Sequence, residues 1–456
     1  MNKKKFYITT AIDYVNARPH IGHAFEKVIA DALARWHKAK GESVFFLTGV
    51  DENAQKNVQA AEESGVPVKE FIDKNTAIFV KLCKVLSVSY NKFIRTSAKE
   101  HAKVVHEVLN KIIKKGDIYK GKYEGYYCTG CEAYITEKDL VDGKCPEHNK
   151  KPELMSEEAY FFRLSKYREK LIEFAERYIV PESRKNEILS RLKEGLSDLC
   201  ISRKNAEWGI DFPGDKKYKI YVWIDALINY ISGAEEKWPA DVHVIGKGIN
   251  WFHSVIWPAM LISADFKLPG KLLVHGYVNL KGQKISKSLG NVIDPIELAK
   301  KYGADSVRYS LLRGSVFEDF DFSQDILIER YNNELANKLG NLVSRVAGLI
   351  ERNGVEKTEV KLLKKLDEKK IVKLMDNFEL DKALTEIFAF IDVCNEYVQE
   401  KKPWETKDKK VLYELKEAIL KISELLWPFI PESSEKIKAT FSAKKIKKPE
   451  ILFKKI

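Results

Sequence analysis

Apolar positions along this chain follow two rhythms, and the switch between them divides it. Up to about residue 115, short and nearly continuous apolar runs alternate with segments of three-four spacing. Residues 6–10 (FYITT) and 43–48 (SVFFLT) read as strands, the second of the kind buried in parallel sheets, and 24–40 as a helix ended by Gly41. Helical patterns interrupted at Gly65 and Pro67 follow, then a strand over 92–96 and a helix to Lys115. This alternation predicts a doubly wound parallel sheet with ligands beyond the carboxyl ends of its strands, where His20 and Asp51 fall. Strand signals return at 220–224 (IYVWI), 242–245 and 272–274, with a helix starting in 225–230. Residues 295–312 and 323 onward read as helices joined by an acidic, aromatic stretch at 317–322. The last third is helical throughout. Leu335, Leu339, Leu342, Val346 and Leu349 keep a three-four spacing, as do Leu380, Leu384, Ile387, Ile391, Cys394 and Val398, so each helix offers one apolar stripe to a bundle and Cys394 is core.

These patterns divide the chain into 1–115 and 206–276 as two halves of a nucleotide-binding fold, 116–205 inserted between them, 277–325 as a connecting region, and 326–456 as a helical domain. A length of 456 residues suffices for two or three cores. Lys and Arg number 78 against 66 Asp and Glu, and the net charge of +12 points to a polyanionic partner. Only six cysteines occur, which favours a reducing compartment over a disulfide framework. The lysines at 3–5 precede an apolar run too short for a signal peptide, and no stretch is long enough to span a bilayer, so a soluble, cytoplasmic protein is expected.

Three clusters carry candidate chemistry. Pro19-His20-Ile21-Gly22-His23 stands where the first strand gives way to the first helix. A helix N-terminus has unpaired N–H groups and partial positive charge, so two imidazoles there read as stabilisers of charge developing on a phosphate. Lys284-Ile285-Ser286-Lys287-Ser288, between Gly282 and Gly290, reads as a mobile loop carrying two cations able to close over a triphosphate. Cys128-Thr129-Gly130-Cys131 and Cys145-Pro146-Glu147-His148, thirteen residues apart, have the spacing of a closed, tetrahedral and therefore structural Zn²⁺ site.

In this order, the first two clusters resemble the HIGH and KMSKS signatures of class I aminoacyl-tRNA synthetases, and the longer string from Phe6 to Glu26 resembles the methionyl branch. That resemblance implies an α/β, Rossmann-like doubly wound sheet interrupted by a zinc-knuckle connective insertion and followed by an all-α anticodon-binding bundle. It implies activation of methionine by ATP, accompanied by Mg²⁺, and transfer of methionine to its tRNA. It assigns His20, His23, Lys284 and Lys287 to catalysis, and adds Glu26 and Gly246 to the ATP contacts. Ile12, Tyr14, Trp223, Leu227, Tyr230, Ile249 and His253 then line a methionine pocket, with Asp51 on the α-ammonium group. Asn341, Arg345 and Trp404 meet the anticodon, and Cys128, Cys131, Cys145 and His148 hold zinc. Aliphatic walls and aromatic rings do suit a flexible, polarisable thioether.

The interval from His23 to Lys284 leaves no space for a hydrolytic editing domain, which argues against isoleucyl, valyl and leucyl enzymes. The lysine-rich tail, 436–455, leaves no room for an appended oligonucleotide-binding barrel, so a monomer is expected. The chain departs from the family pattern at Asp13, at Asn53-Ala54, at Gly248 and at Ile285, the last a volume-conserving change. Two other readings compete: a cysteinyl-type ligase, which uses zinc to seize a substrate thiol, and a catalytically silent tRNA-binding relative.

Overall fold

The computed structural model describes residues 3–456 apart from 129–132, 136, 138–139, 147–149, 205, 281 and 285–292. Its centre is a seven-stranded sheet whose pairings are all parallel. In chain order its strands are β1 Lys5–Thr10, β2 Asp13–Tyr14, β3 Ser43–Asp51, β4 Lys92–Arg95, β5 Ile179–Val180, β6 Val242–Gly246 and β7 Lys271–His275. The spatial order is β2-β3-β1-β6-β7-β5, with β4 also on β3. From β1 the chain winds outward to β3 and β4, then returns to the other side of β1 as β6 and β7. The crevice between β3 and β6 at the end of β1 is therefore a topological switch point, the place where such sheets bind ligands. The apolar texture of β1 and β3 follows from helices covering both faces. Their buried threonines are satisfied sideways: Thr9 reaches His243 Nδ1 and Thr10 reaches Thr48, each at 2.7 Å.

The first helix, Ile21–Ala39, lies in the core, with Ala24, Phe25, Val28, Ile29 and Ala32 wholly buried. It ends at Gly41, whose φ of 83° suits glycine. Its start is three residues earlier than the spacing predicts, because a histidine supplies the cap. Arg308 ties this helix to the C-terminal helices: wholly buried, it lies 2.7 Å from Asp31 and donates to the carbonyls of Leu86, Pro428 and Phe429.

Between β4 and β6 the chain builds an antiparallel sheet in the order Ala133–Ile135, Ile118–Cys128, Glu153–Phe162 and Leu199–Cys200, paired from Ile118↔Phe162 to Tyr127↔Glu153. The expected insertion 116–205 is not wholly separate, since β5 forms an edge of the main sheet. The expected strand at 220–224 is corrected: Asp215–Ile220 is a strand of a small antiparallel sheet, and Val222–Leu227 is a helix buried on every side. A fully apolar run has the same pattern in a buried helix as in a buried strand. The helix expected over 295–312 is two, Pro295–Tyr302 and Ala304–Leu312, broken at Gly303 with φ 87°. Ser323 caps Gln324–Arg330. A wide, π-type helix, Tyr331–Gly340, runs into Asn341–Asn353, and both pack with Leu380–Lys401, Lys409–Leu426 and Pro431–Phe441 into the bundle that the leucine spacing predicts. Among the described residues no helix is long and apolar enough to cross a membrane.

Candidate active site

The imidazole pair is built by helix capping. His20 is the N-cap: its Nδ1 accepts the Gly22 N–H at 3.0 Å, while His23 Nδ1 accepts the His20 backbone N–H at 3.0 Å. Gly22 is required, since a Cβ there would stand 2.9 Å from His20 Cε1. With both Nδ1 atoms accepting, a neutral ring carries its proton on Nε2, so each histidine is a donor turned away from its cap. Burial, then the charge of Lys27, pulls the His23 pKa down to about 4, so it donates as a neutral group. The rings lie 3.9 Å apart.

The lysine segment is tied to the same place. Its first residues form the strand Gln283–Lys284, paired with Val278–Leu280. Immediately beyond it, Ile293 C=O accepts the Ile21 N–H at 3.1 Å, and Asp294 pairs with Arg18 at 2.8 Å. The chain thus resumes at Ile293 beside the histidine-bearing turn. Lys287 lies outside the described residues. Gly246 closes β6, and Glu26 Oε2 lies 3.3 Å from His275 Nε2. Burial pushes the Glu26 carboxyl up, but Lys27 and His275 outweigh it and hold the group below its usual range.

At the end of β1, one small cavity is lined by Ile12, Tyr14, Asp51, Trp223, Leu227, Tyr230, Ile249 and His253 together with Ala11, Ala226 and Asn229. The side chains come from four separated segments. Trp223 stacks on Phe252 at 3.8 Å and presents its edge toward Tyr14 and His253. His253 donates from Nδ1 to Ile249 C=O at 3.0 Å, so its Nε2 accepts the Tyr230 hydroxyl at 2.7 Å. Burial lowers the His253 pKa to about 4, which keeps this pair neutral. Asp51 is the cavity's carboxylate, its Oδ1 taking the Asn53 N–H at 3.0 Å and the Thr96 hydroxyl at 3.2 Å.

The departures from the family pattern have physical explanations. Asn53 donates from its amide to Asp225 at 3.0 Å, and burial, then the charge of Asp51, pushes the Asp225 carboxyl well above the usual carboxylate range. Gly248 leaves room for Tyr277, whose hydroxyl stands 2.2 Å from where a Cβ would be. Asp13 has a buried partner the sequence reading missed: Lys27 Nζ lies 2.8 Å from it and donates to Ala11 C=O at 3.1 Å, Thr10 Oγ1 at 3.2 Å and Glu26 at 3.4 Å. The only signal in sequence was a lysine beside Glu26 in a largely apolar stretch of the helix.

Of the expected metal ligands, Cys128 ends the strand Ile118–Cys128 and Cys145 follows a tight turn bridged by Val141 and Lys144; both are buried. Cys131 and His148 lie outside the described residues, and among the described residues no group of ligands assembles. In the helical region a second, larger cavity is lined by Asn341, Arg345 and Trp404, with Ser344, Gly348, Leu349, Arg352 and Lys448 added. The Arg345 guanidinium lies 4.4 Å from the Trp404 ring centroid.

A family model described as tRNA synthetases class I (M) matches residues 6–151 and 139–347, and one described as anticodon-binding domain of tRNA ligase matches 361–455. The methionine–tRNA ligase of Caldanaerobacter subterraneus subsp. tengcongensis is 44% identical, covering 95% of this chain and 73% of its own. That of Brucella suis is 40% identical, covering 96% and 92%. Mycobacterium tuberculosis methionyl-tRNA synthetase in complex with methionyl-adenylate superposes with a TM-score of 0.92 at 36% identity, over 96% of this chain and 94% of that one. A second structure of that enzyme bound by methionyl-adenylate gives 0.94 at 34%, over 99% and 100%. With sequence, sheet topology and site geometry in agreement, the chain belongs to the methionyl-tRNA synthetases of class I.

Proposed function

We propose that this chain is a methionine–tRNA ligase working in two steps at the switch point of its sheet. A methionine carboxylate oxygen attacks the α-phosphorus of ATP, the bond to the bridging oxygen breaks, and pyrophosphate leaves with that electron pair. The terminal ribose hydroxyl of the tRNA then attacks the adenylate carbonyl and expels AMP. His20 and His23 donate from Nε2 to the reacting phosphate, while Lys284 and Lys287 neutralise its developing charge; ATP arrives with Mg²⁺. Glu26 and the backbone at Gly246 serve the adenosine end. Asp51 takes the ammonium group, and the other seven expected pocket residues enclose the thioether. Asn341, Arg345 and Trp404 read the anticodon, where a splayed base stacks on an aromatic ring.

The observation that carries this reading is the convergence of all eight expected methionine-pocket residues on one cavity, next to a turn whose two imidazoles both accept at Nδ1. Lys27, one turn along from His23, reaches the cavity wall at Ala11 C=O. The test is charging of tRNA with labelled methionine by the purified chain. Incorporation that requires ATP and falls at least tenfold in Trp223→Ala supports the reading, and no charging refutes it.

The same reading divides the chain into 1–115 and 206–276 for catalysis, 116–205 as connective insertion, 277–325 around the lysine loop and 326–456 for the anticodon, in a monomeric, cytoplasmic enzyme. Cys128, Cys131, Cys145 and His148 would hold Zn²⁺. Two buried thiols, one at a strand end and one after a tight turn, fit a closed thiolate site, whose chemistry is purely structural. Metal analysis giving one zinc per chain, lost in Cys145→Ser, is the expected result.

A further inference from the structure

The lysine-rich segment that follows Pro431–Phe441 is laid back on the fold as a strap. Ile446 and Phe453 are buried. The Phe453 ring meets Tyr331 edge-on at 5.8 Å between centroids. Ile456 pairs with the Asn332 side chain through both its N–H, at 3.1 Å, and its C=O, at 2.8 Å. Midway, the Lys448 backbone N–H donates to Glu351 Oε2 at 3.1 Å, which fixes this lysine against Asn341–Asn353. Its stem lies over Gly348, with Cδ 3.5 Å from where a Cβ would be, and its side chain lines the cavity that holds Asn341, Arg345 and Trp404.

The cavity lining itself is cationic, with carboxylates only at its edge, where Glu351 accepts the Lys448 backbone N–H and Glu405 Oε1 accepts the Trp404 Nε1–H at 3.2 Å. Arg345, Arg352 and Lys448 line the cavity and no carboxylate does. Among the described residues, none of these three cations lies within 4 Å of an acidic oxygen, whereas most lysines and arginines of the neighbouring helices are paired, as Lys338 is with Asp392 and Arg313 with Glu334. Arg352 is held in position by its Nε, which donates to Gly348 C=O at 3.0 Å. Trp404 is 38% exposed, with the Arg345 guanidinium 4.4 Å from its ring centroid. A base can stack on that ring only when its nucleotide is turned out of the loop, which brings the flanking phosphates against the cavity wall.

We propose that Lys448, positioned by the strap, and Arg352 form a clamp for the phosphodiester backbone of the anticodon loop, distinct from the residues that read its bases. The proposal rests on the anticodon reading of this cavity. The clamp contributes affinity without sequence preference, because phosphate contacts position and do not specify.

The test measures binding and charging of methionine tRNA across 50–200 mM salt by the full chain and by Lys448→Ala, Lys448→Glu, Lys448→Arg and Arg352→Ala, with Trp404→Ala as reference. Lys448→Ala should weaken binding about three- to tenfold at low salt and flatten the log–log salt dependence by roughly 0.7 to 0.9. Lys448→Glu should do more, Lys448→Arg should restore the parent, and the fold-loss should be the same for a tRNA with an altered anticodon. Methionine-dependent pyrophosphate exchange should be unchanged in all four clamp variants. Unchanged affinity and slope in Lys448→Ala and Lys448→Glu, with Trp404→Ala still defective, overturns the clamp alone. Normal charging by Trp404→Ala overturns the anticodon reading and the clamp with it. A loss of exchange in Lys448→Ala that Lys448→Arg does not restore assigns the strap a purely structural role and also overturns it.

Discussion

Replacing Lys27 by methionine preserves the length of the side chain and removes its charge. In the parent the ammonium is 1% exposed and serves Asp13, Glu26, Thr10 Oγ1 and Ala11 C=O, at 2.8, 3.4, 3.2 and 3.1 Å. Its loss leaves two carboxylates, each 9% exposed, facing each other without a cation. Removing one partner of such a pair costs about 3 to 5 kcal/mol. The lower end applies here. Burial already pushes the Asp13 carboxyl up to about 6 against the pull of Lys27, and without Lys27 it rises further, so the group is protonated near neutrality. A loss of about 3 kcal/mol should lower the unfolding midpoint by roughly 3 °C for a chain of 456 residues unfolding as one unit. A carboxyl raised in the folded state holds its proton more tightly there than in the unfolded chain, so the deficit should shrink as pH falls from 8 toward 5. The double variant Asp13→Leu, Lys27→Met should recover to within about 1 kcal/mol, since an apolar pair can replace a buried ion pair at little cost. Because Lys27 anchors the corner that carries Ala11, Ile12 and Tyr14, the single variant should also raise KM for methionine about tenfold, or about 1.4 kcal/mol. The assays are denaturant unfolding followed by circular dichroism and pyrophosphate exchange at varied methionine. A loss under 1 kcal/mol with unchanged KM would refute the reasoning.

Burial holds His23, His101 and His253 at about 4 and His243 well below its usual value. Each is fully favourable above the unfolded value near 6.5 and is lost as pH falls below it, at up to about 1.4 kcal/mol per unit; urea midpoints should drop between pH 7.5 and 5.5, and a flat profile would contradict this. Arg308→Lys should be nearly as destabilising as Arg308→Met, about 3 to 5 kcal/mol by thermal or urea unfolding, because one ammonium cannot reproduce a planar fork serving Asp31 and three carbonyls. Full stability in Arg308→Lys would show the fork to be dispensable. Trp404→Ala should cut tRNA charging at least tenfold while leaving methionine-dependent exchange intact; equal losses in both assays would indicate a folding role.

The sequence was most legible where one residue type has one physical use. The strands around the switch point announce themselves because parallel strands covered on both faces must be apolar throughout, and Gly41 and Ser323 mark their helix ends by chemistry. The start of the first helix was hidden because imidazole is an uncommon cap, and the run at 220–224 because apolar burial erases periodicity. Within the site, resemblance supplied the lining of the methionine cavity, but not what supports it. Lys27 beneath Ala11, Tyr277 against Gly248 and Asn53 between Asp51 and Asp225 are contacts across the fold, and no local spacing encodes them. They also explain why Asp13, Gly248 and Asn53 differ from the family pattern: each has a partner here that its departure requires.

The measurement that bears most directly on the central claim is amino-acid-dependent exchange of labelled pyrophosphate into ATP by the purified chain, with methionine, cysteine and isoleucine compared. The account predicts exchange with methionine alone, lowered by orders of magnitude in Lys287→Ala while methionine binding persists. Exchange driven by cysteine, or none with any of the three by a folded preparation, would contradict it.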